Sequence, residues 1–116
     1  MRSYRPVVIE SPYAGNIERN KEYLKACMRD CIMNHEDAPY ASHKLYTDVL
    51  NDTDCIERDI GIRAGFSWTQ FADACVVYYD FGISVGMKLG IENAEKYGIP
   101  VEMRRLPHDD LMKIKM

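Results

Sequence analysis

Short apolar runs alternate along the chain with longer segments of helical periodicity, and this alternation restricts the fold more than any other feature. Val7–Ile9 is a β-branched run, and Cys75–Tyr79 is a continuous apolar run typical of strands that a parallel sheet buries on both faces. Turn residues, candidate N-caps and helical spacing set the remaining boundaries. We predict strands over 5–11, 38–43, 75–79 and 100–103, and helices over 16–33, 54–71 and 83–97.

The order β-α-β-α-β-α-β predicts an α/β fold. We expect a small Rossmann-like or flavodoxin-like three-layer domain with a four-stranded parallel sheet of order 2-1-3-4. Residues 1–106 are assigned to this domain and residues 107–116 to a polar, peripheral C-terminal tail. Ligands of such sheets bind beyond the carboxyl ends of the strands, where the strand order reverses. The loops 11–15 and 80–86 are therefore expected to meet there, with Ser42 and His43 beside them.

Composition excludes several classes of function. The chain has 116 residues and a net charge of −3, and its acidic and basic residues are interspersed. This pattern lacks the basic footprint of a duplex nucleic-acid binder. No apolar run approaches the ~20 residues of a membrane span, and the first residues show no export signal, so we expect a cytoplasmic protein without a membrane partner.

The four cysteines predict neither disulfides nor a metal site. They contain no C-x-x-C pair, and disulfides are not expected in a cytoplasmic chain. Cys27, Cys31 and His35 follow helical spacing, but residues eight apart on a helix are separated by ~12 Å, too far for three ligands of one ion. We interpret Cys27 and Cys31 as small core residues and expect no cofactor.

The stretch Gly82–Gly86 is a literal G-x-S-x-G, the pattern that presents a nucleophilic serine in α/β-hydrolases. A hydrolase of that class is larger and has its histidine after the nucleophile, where this chain has only His108 in a polar segment. We therefore favour a ligand-binding role, in which Ser84 offers a hydroxyl and Gly86 lets the helix start approach a phosphate or ribose. A purely structural turn is the alternative.

Polar and aromatic residues at the ends of the first two strands are further candidates. Ser11 and Tyr13 place a hydroxyl and a ring where a sugar or base would bind, although Tyr13 could equally cap the core. His43 is a candidate acid or base, with a structural role as the alternative.

Three blocks of the sequence resemble a known superfamily. They are SPYAG at 11–15, APYASHKLY at 38–46 and YYDFGISVGMKLGIENAEKYGIPVE at 78–102. Over about residues 6–106 the chain resembles the nucleoside 2-deoxyribosyltransferase-like superfamily, especially its often phage-borne branch, and is similar to deoxynucleoside-monophosphate N-glycosidases. The resemblance implies homo-oligomers, host cytoplasm if the chain is phage-encoded, and a nucleoside or nucleotide pocket. The pocket residues that it implies are Ser11, Tyr13, Asp80, Ser84, Gly86 and Met87.

The nucleophile of those enzymes is missing at its usual place. In the superfamily a glutamate four residues after the glycine of the helix turn attacks the anomeric carbon of the sugar. Counting from Gly86 gives Gly90, and an alternative alignment gives Lys88. Glu92 lies two positions after Gly90. A shift of two positions turns a helical side chain through roughly 200°, so we expect Glu92 to point away from the site.

These observations lead to three functional hypotheses. The first is a nucleoside- or nucleotide-binding domain without the nucleophile, acting as a sensor or scavenger of a nucleotide signal. The second is an N-glycosidase that uses direct water attack, with Asp80 or Glu36 activating water and His43 or Tyr13 assisting the leaving base. The third is a phage accessory protein that inhibits a host protein through its surface.

Overall fold

The fold is a parallel sheet with helices on both faces. The structure, a computed structural model, describes residues 3–42, 46–47, 49–51 and 53–114. The elements in chain order are β1 (Arg5–Glu10), α1 (Ile17–His35), β2 (Asp37–Tyr40), α2 (Cys55–Phe66), a 3₁₀ turn (Thr69–Phe71), β3 (Ala74–Tyr78), α3 (Val85–Lys96), β4 (Val101–Arg104) and α4 (His108–Met112). All strand pairs are parallel, and the order β2-β1-β3-β4 confirms the predicted α/β fold and topology.

The central strands divide the core into two clusters. Alternate residues of β1 and β3 face α1, where Val7, Ile9 and Val76 pack with its buried residues Tyr23 and Cys27. The intervening residues face α3, where Val8, Cys75 and Val77 pack with Met87 and Ala94. Every residue of β3 is buried, as its continuous apolar run predicts.

Asparagine and aspartate side chains begin two of the helices. Asn16 caps α1, its Oδ1 accepting from the Arg19 amide at 3.1 Å. Asp54 caps α2, its Oδ1 accepting from the Ile56 amide at 2.9 Å. Both caps confirm the predicted helix starts. The second predicted helix is too long, because α2 ends at Phe66 and the chain reaches Phe71 through a separate 3₁₀ turn.

The segment after β4 differs from the peripheral tail that its polar sequence predicts. Residues His108–Met112 form α4, which contacts α1. Leu106 and Ile114 are buried in the same cluster as Tyr23, so this segment covers one end of the α1 face. In the part of the chain that the structure describes, no helix combines the length and apolar character that crossing a membrane requires.

Ion pairs around the buried Asp37 connect three strands beneath the C-terminal half of α1. Asp37 is fully buried and pairs with Arg104 at 2.9 Å and with Arg5 at 3.0 Å. Arg5 also pairs with Glu102 of β4 at 2.9 Å. These contacts hold β1, β2 and β4 together on the α1 face, away from the face that carries α3.

A glycine lets α2 approach the end of β2. A Cβ on Gly65 would lie 2.5 Å from the backbone oxygen of Ser42, a distance that side-chain rotation cannot relieve. The end of α2 is also joined to α3, since Asn93 Nδ2 donates to the Phe66 carbonyl at 3.2 Å. Gly65 is therefore a point of close contact between α2 and the end of β2.

We predict that Gly65→Ala destabilises the protein by about 1–3 kcal/mol, because backbone must move to admit the methyl group. Gly61→Ala is the matched control in the same helix. Its Cβ would meet only the Leu50 Cδ1 methyl at 3.2 Å, and alanine gains up to ~1 kcal/mol of helix propensity. Urea unfolding of both variants measures the difference, and equal effects would contradict the close approach.

Candidate functional site

A cavity of about 420 Å³ opens at the carboxyl edge of the sheet, beside the ends of β1 and β2 and the start of α3. Helix α2 forms its remaining wall through Arg58, Ile62 and Phe66. The structure brings to this cavity all of the residues that the sequence proposed as ligand-binding: Ser11, Tyr13, Ser42, Ser84, Gly86 and Met87.

The loop after β1 is held in place by α1. The buried Asn20 donates from Nδ2 to the backbone oxygens of Tyr13 and Ala14, each at 3.0 Å. The Ser11 hydroxyl, by contrast, is buried and has no hydrogen-bond partner within the described residues. Because an unsatisfied buried hydroxyl is costly, Ser11 is ready to bond a polar group of a ligand.

The start of α3 presents a hydroxyl and backbone amides to the cavity. Ser84 is the N-cap, and its Oγ accepts from the Met87 amide at 3.2 Å. The first amides of a helix lack intrahelical acceptors and carry partial positive charge, and Gly86 adds no side chain that would cover them. The Arg58 guanidinium lines the same cavity, so the cavity contains both a helix start and a cationic side chain, and each of these favours an anionic group.

A buried carboxyl lines the same cavity. Glu10 is the last residue of β1, is only 4% exposed and, like Val8, faces α3. No hydrogen bond or ion pair to the Glu10 carboxyl joins it to another described residue. Desolvation raises the pKa of Glu10 to about 8, so a large fraction of the group is protonated near neutral pH.

Sequence reasoning missed Glu10, although a signal for it exists. Strand residues two apart share a face, so Val8 and Glu10 must point toward the same layer of helices. An acidic residue on an inward face, at the carboxyl end of a central strand, is therefore a candidate site residue. The α2 residues Arg58, Ile62 and Phe66 had no comparable signal, because their part in the cavity depends on how α2 docks.

Asp80 follows β3 by two residues and is not among the residues that line the cavity. Its Oδ2 accepts from the Tyr23 hydroxyl at 2.6 Å and from the Leu106 amide at 3.0 Å. Burial, followed by this bond to Asp80, raises the pKa of Tyr23 far above its usual value, so the phenol stays a donor. Asp80 thereby joins α1, β3 and the segment after β4.

Of the other two proposed catalytic residues, Glu36 lies away from the cavity. Glu36 ends α1 with a left-handed backbone (φ 57°), and its carbonyl accepts from the Arg5 amide at 3.0 Å. It therefore lies at the amino ends of β1 and β2, the edge opposite the cavity. His43 lies outside the described residues.

The fold and the cavity together define an α/β domain with a ligand-sized pocket at the carboxyl edge of a parallel sheet. The chain belongs to the family described as Domain of unknown function (DUF7768), whose model matches residues 5–104. A comparison with curated proteins gave no match.

The buried carboxyl predicts an unusual pH dependence of stability. The pKa of Glu10 rises from 4.5 in the unfolded chain to about 8 in the folded protein, so the folded state binds the extra proton between these values. Below pH 4.5 the carboxyl is protonated in both states, so the stability that Glu10 contributes is fully present. As the pH rises from 4.5 to about 8, the free energy of unfolding falls by ~1.4 kcal/mol per pH unit, because the unfolded chain releases the proton and the folded protein keeps it.

We expect Glu10→Gln to remove this dependence, because the amide has nearly the same shape and does not ionise. The nearby Tyr40 and Cys75 stay neutral over this interval, since burial raises the pKa of both and brings that of Cys75 to about 12. Urea unfolding between pH 5 and pH 9 measures the effect. The variant should gain stability relative to the wild type by several kcal/mol across this range. Parallel curves would show that Glu10 titrates normally.

Proposed function

We propose that the protein binds a nucleoside or nucleotide in the cavity at the carboxyl edge of the sheet. The observation that carries the proposal is the convergence of hydroxyl groups, apolar surface and a helix start on one cavity. Its volume of about 420 Å³ lies within the range of small-molecule sites, ~300–1,000 Å³. The resemblance of the sequence to nucleoside 2-deoxyribosyltransferases supports this choice of ligand class.

Different walls of the cavity suit different parts of such a ligand. Phe66, Val85 and Leu89 provide apolar surface against which a base would pack. The unpartnered Ser11 hydroxyl suits a sugar hydroxyl. The amides at the start of α3, with Arg58 of α2, suit a 5′-phosphate. In this proposal the protein acts as a sensor or scavenger of a nucleotide.

Hydrolysis of the N-glycosidic bond is a second candidate function, and one observation favours it. The ligand cavity contains a carboxyl group, that of Glu10, although the helix glutamate of the similar enzymes is absent at Gly90. A carboxylate within hydrogen-bond reach of a water molecule beside the sugar is the group that direct water attack requires.

Isothermal titration calorimetry tests the binding proposal. The probes are the common ribo- and 2′-deoxyribonucleosides and their 5′-monophosphates, titrated into the wild-type protein. We expect saturable binding of at least one probe, stronger for the monophosphate than for its nucleoside. Absence of binding by every probe would contradict the proposed function.

We predict that Ser11→Ala weakens binding of that probe about 10-fold, the equivalent of one hydrogen bond of ~1.4 kcal/mol. The ligand-free variant should unfold at no lower a urea concentration than the wild type, because the hydroxyl has no partner to lose among the described residues. Ser67→Ala is the control: Ser67 is exposed and does not line the cavity. Equal affinities of the two variants would exclude Ser11 from the binding site.

Homo-oligomerisation, implied by the same resemblance, stays a prediction. The two helices that contribute to the cavity walls carry exposed apolar residues, Ile60 on α2 and Val85 on α3, and Val85 is 76% exposed. We predict that multi-angle light scattering gives a dimer or larger species rather than the 13.4 kDa monomer, and that Ile60→Asp shifts it toward the monomer. A wild-type monomer at all concentrations would contradict this prediction.

A further inference from the structure

The Glu10 carboxyl occupies the place where a side chain at position 90 would begin. A Cβ built on Gly90 would overlap the carboxyl carbon and both carboxyl oxygens of Glu10. Gly90 is buried within α3 and is not among the residues with positive φ, so its backbone does not itself require glycine. The glycine at position 90 therefore leaves room for the Glu10 carboxyl in the place that it occupies.

No interaction with the described residues around Glu10 explains why a carboxyl group stands at this position. Its neighbours across the sheet and the cavity include Tyr40 of β2, Cys75 of β3 and Arg58 of α2. None of these described residues forms a hydrogen bond or an ion pair with it. An unpartnered carboxyl that lines a ligand cavity is typical of a group that acts on the ligand.

We propose that Glu10 is the catalytic carboxylate of this cavity and that it activates water for cleavage of an N-glycosidic bond. The proposal rests on the proposed nucleoside or nucleotide ligand. It places the acid–base group on β1, beside Gly90, and assigns no catalytic role to Asp80 or Glu36. Asp80 is occupied by Tyr23 and Leu106, and Glu36 lies at the opposite edge of the sheet.

The reaction follows from one ionised carboxylate and one water molecule. The Glu10 carboxylate accepts a proton from water while the water oxygen bonds to the anomeric carbon and the bond from that carbon to the base nitrogen breaks. The electron pair of the broken bond stays on the base nitrogen. This nitrogen then takes the proton from Glu10, which restores the carboxylate and releases the free base and the sugar or sugar phosphate.

The pH dependence of such a reaction has a defined direction. The base must be ionised, and burial raises the pKa of Glu10 to about 8, so the rate should increase with pH and level off above that value. Tyr40 and Cys75 remain neutral below about pH 9 because burial raises the pKa of each. Arginine side chains in proteins do not lose their proton in this range, so the rise is attributable to Glu10 among these neighbours.

Chromatography of the calorimetry probes after long incubation between pH 6 and pH 9.5 tests the proposal. We expect the wild type to release free base from at least one nucleoside or nucleotide. Glu10→Gln should slow this release at least 100-fold while its dissociation constant for the same probe changes less than about threefold. Glu92→Gln is the matched control on α3, because Glu92 is exposed and lies outside the cavity, and its rate should equal that of the wild type.

Each contrary outcome has a distinct meaning. Equal rates of the wild type and Glu10→Gln would overturn the catalytic assignment. Binding of a probe without cleavage at any pH would also overturn it and would leave the proposed binding function intact. Failure of every probe to bind would overturn both proposals. Glu10→Asp, which keeps the charge but retracts it, should cleave more slowly than the wild type, and a wild-type rate would count against the assigned geometry.

A double-mutant cycle tests the contact with Gly90 independently of activity. Gly90→Ala should lower Tm in the wild type, because the methyl group displaces the Glu10 carboxyl, and should slow base release. In the Glu10→Ala background the same substitution should raise Tm, because the space is then free and alanine favours the helix. An identical shift of Tm in both backgrounds would show that Glu10 does not occupy the space beside Gly90 and would overturn the proposal.

Discussion

The parallel pairing of β1 with β3 is the interaction on which the rest of the structure depends. In this register Glu10 lies opposite Val77, so the two central strands end at nearly the same level. Helices cover both faces of these two strands, so the loops that follow the strands lie at the carboxyl edge of the sheet. The loop that begins at Ser11 and the helix start at Ser84 are thereby brought to one place, although more than seventy residues separate them in sequence. The cavity is a consequence of this pairing, which α2 completes from the side.

Most of the fold was predictable because its signals are local. An apolar run marks β3, Asn16 and Asp54 mark helix starts, and the alternation of elements limits the topology. The errors occurred where tertiary contacts decide. Residues 107–116 mix single apolar residues with charges, so nothing local distinguishes a tail from a short helix. Packing of Leu106 and Ile114 against the α1 face makes the difference.

The candidate site was predictable to the extent that sheet topology determines it. The residues at the strand ends and at the start of α3 line one cavity because parallel strands align their carboxyl ends. The acidic groups were not predictable in the same way. Asp80 follows β3 at a suitable position, but Tyr23 and Leu106 engage its carboxylate. Glu10 appears in the sequence as the last residue of a strand, and only the packing of α3 shows that Gly90 leaves room for its side chain.

Two destabilising features coincide at the contact between Glu10 and Gly90. A glycine within a helix costs up to ~1 kcal/mol relative to alanine, and a buried carboxyl without a partner opposes its own ionisation. If Glu10 only filled space, a methionine or glutamine would fill it without the penalty of desolvating a charge, and an alanine at position 90 with a smaller residue at position 10 would stabilise α3. Packing alone therefore does not explain this pair. The pair agrees instead with the proposed acid–base role of Glu10, which requires a carboxyl group at the cavity and room for that group beside α3.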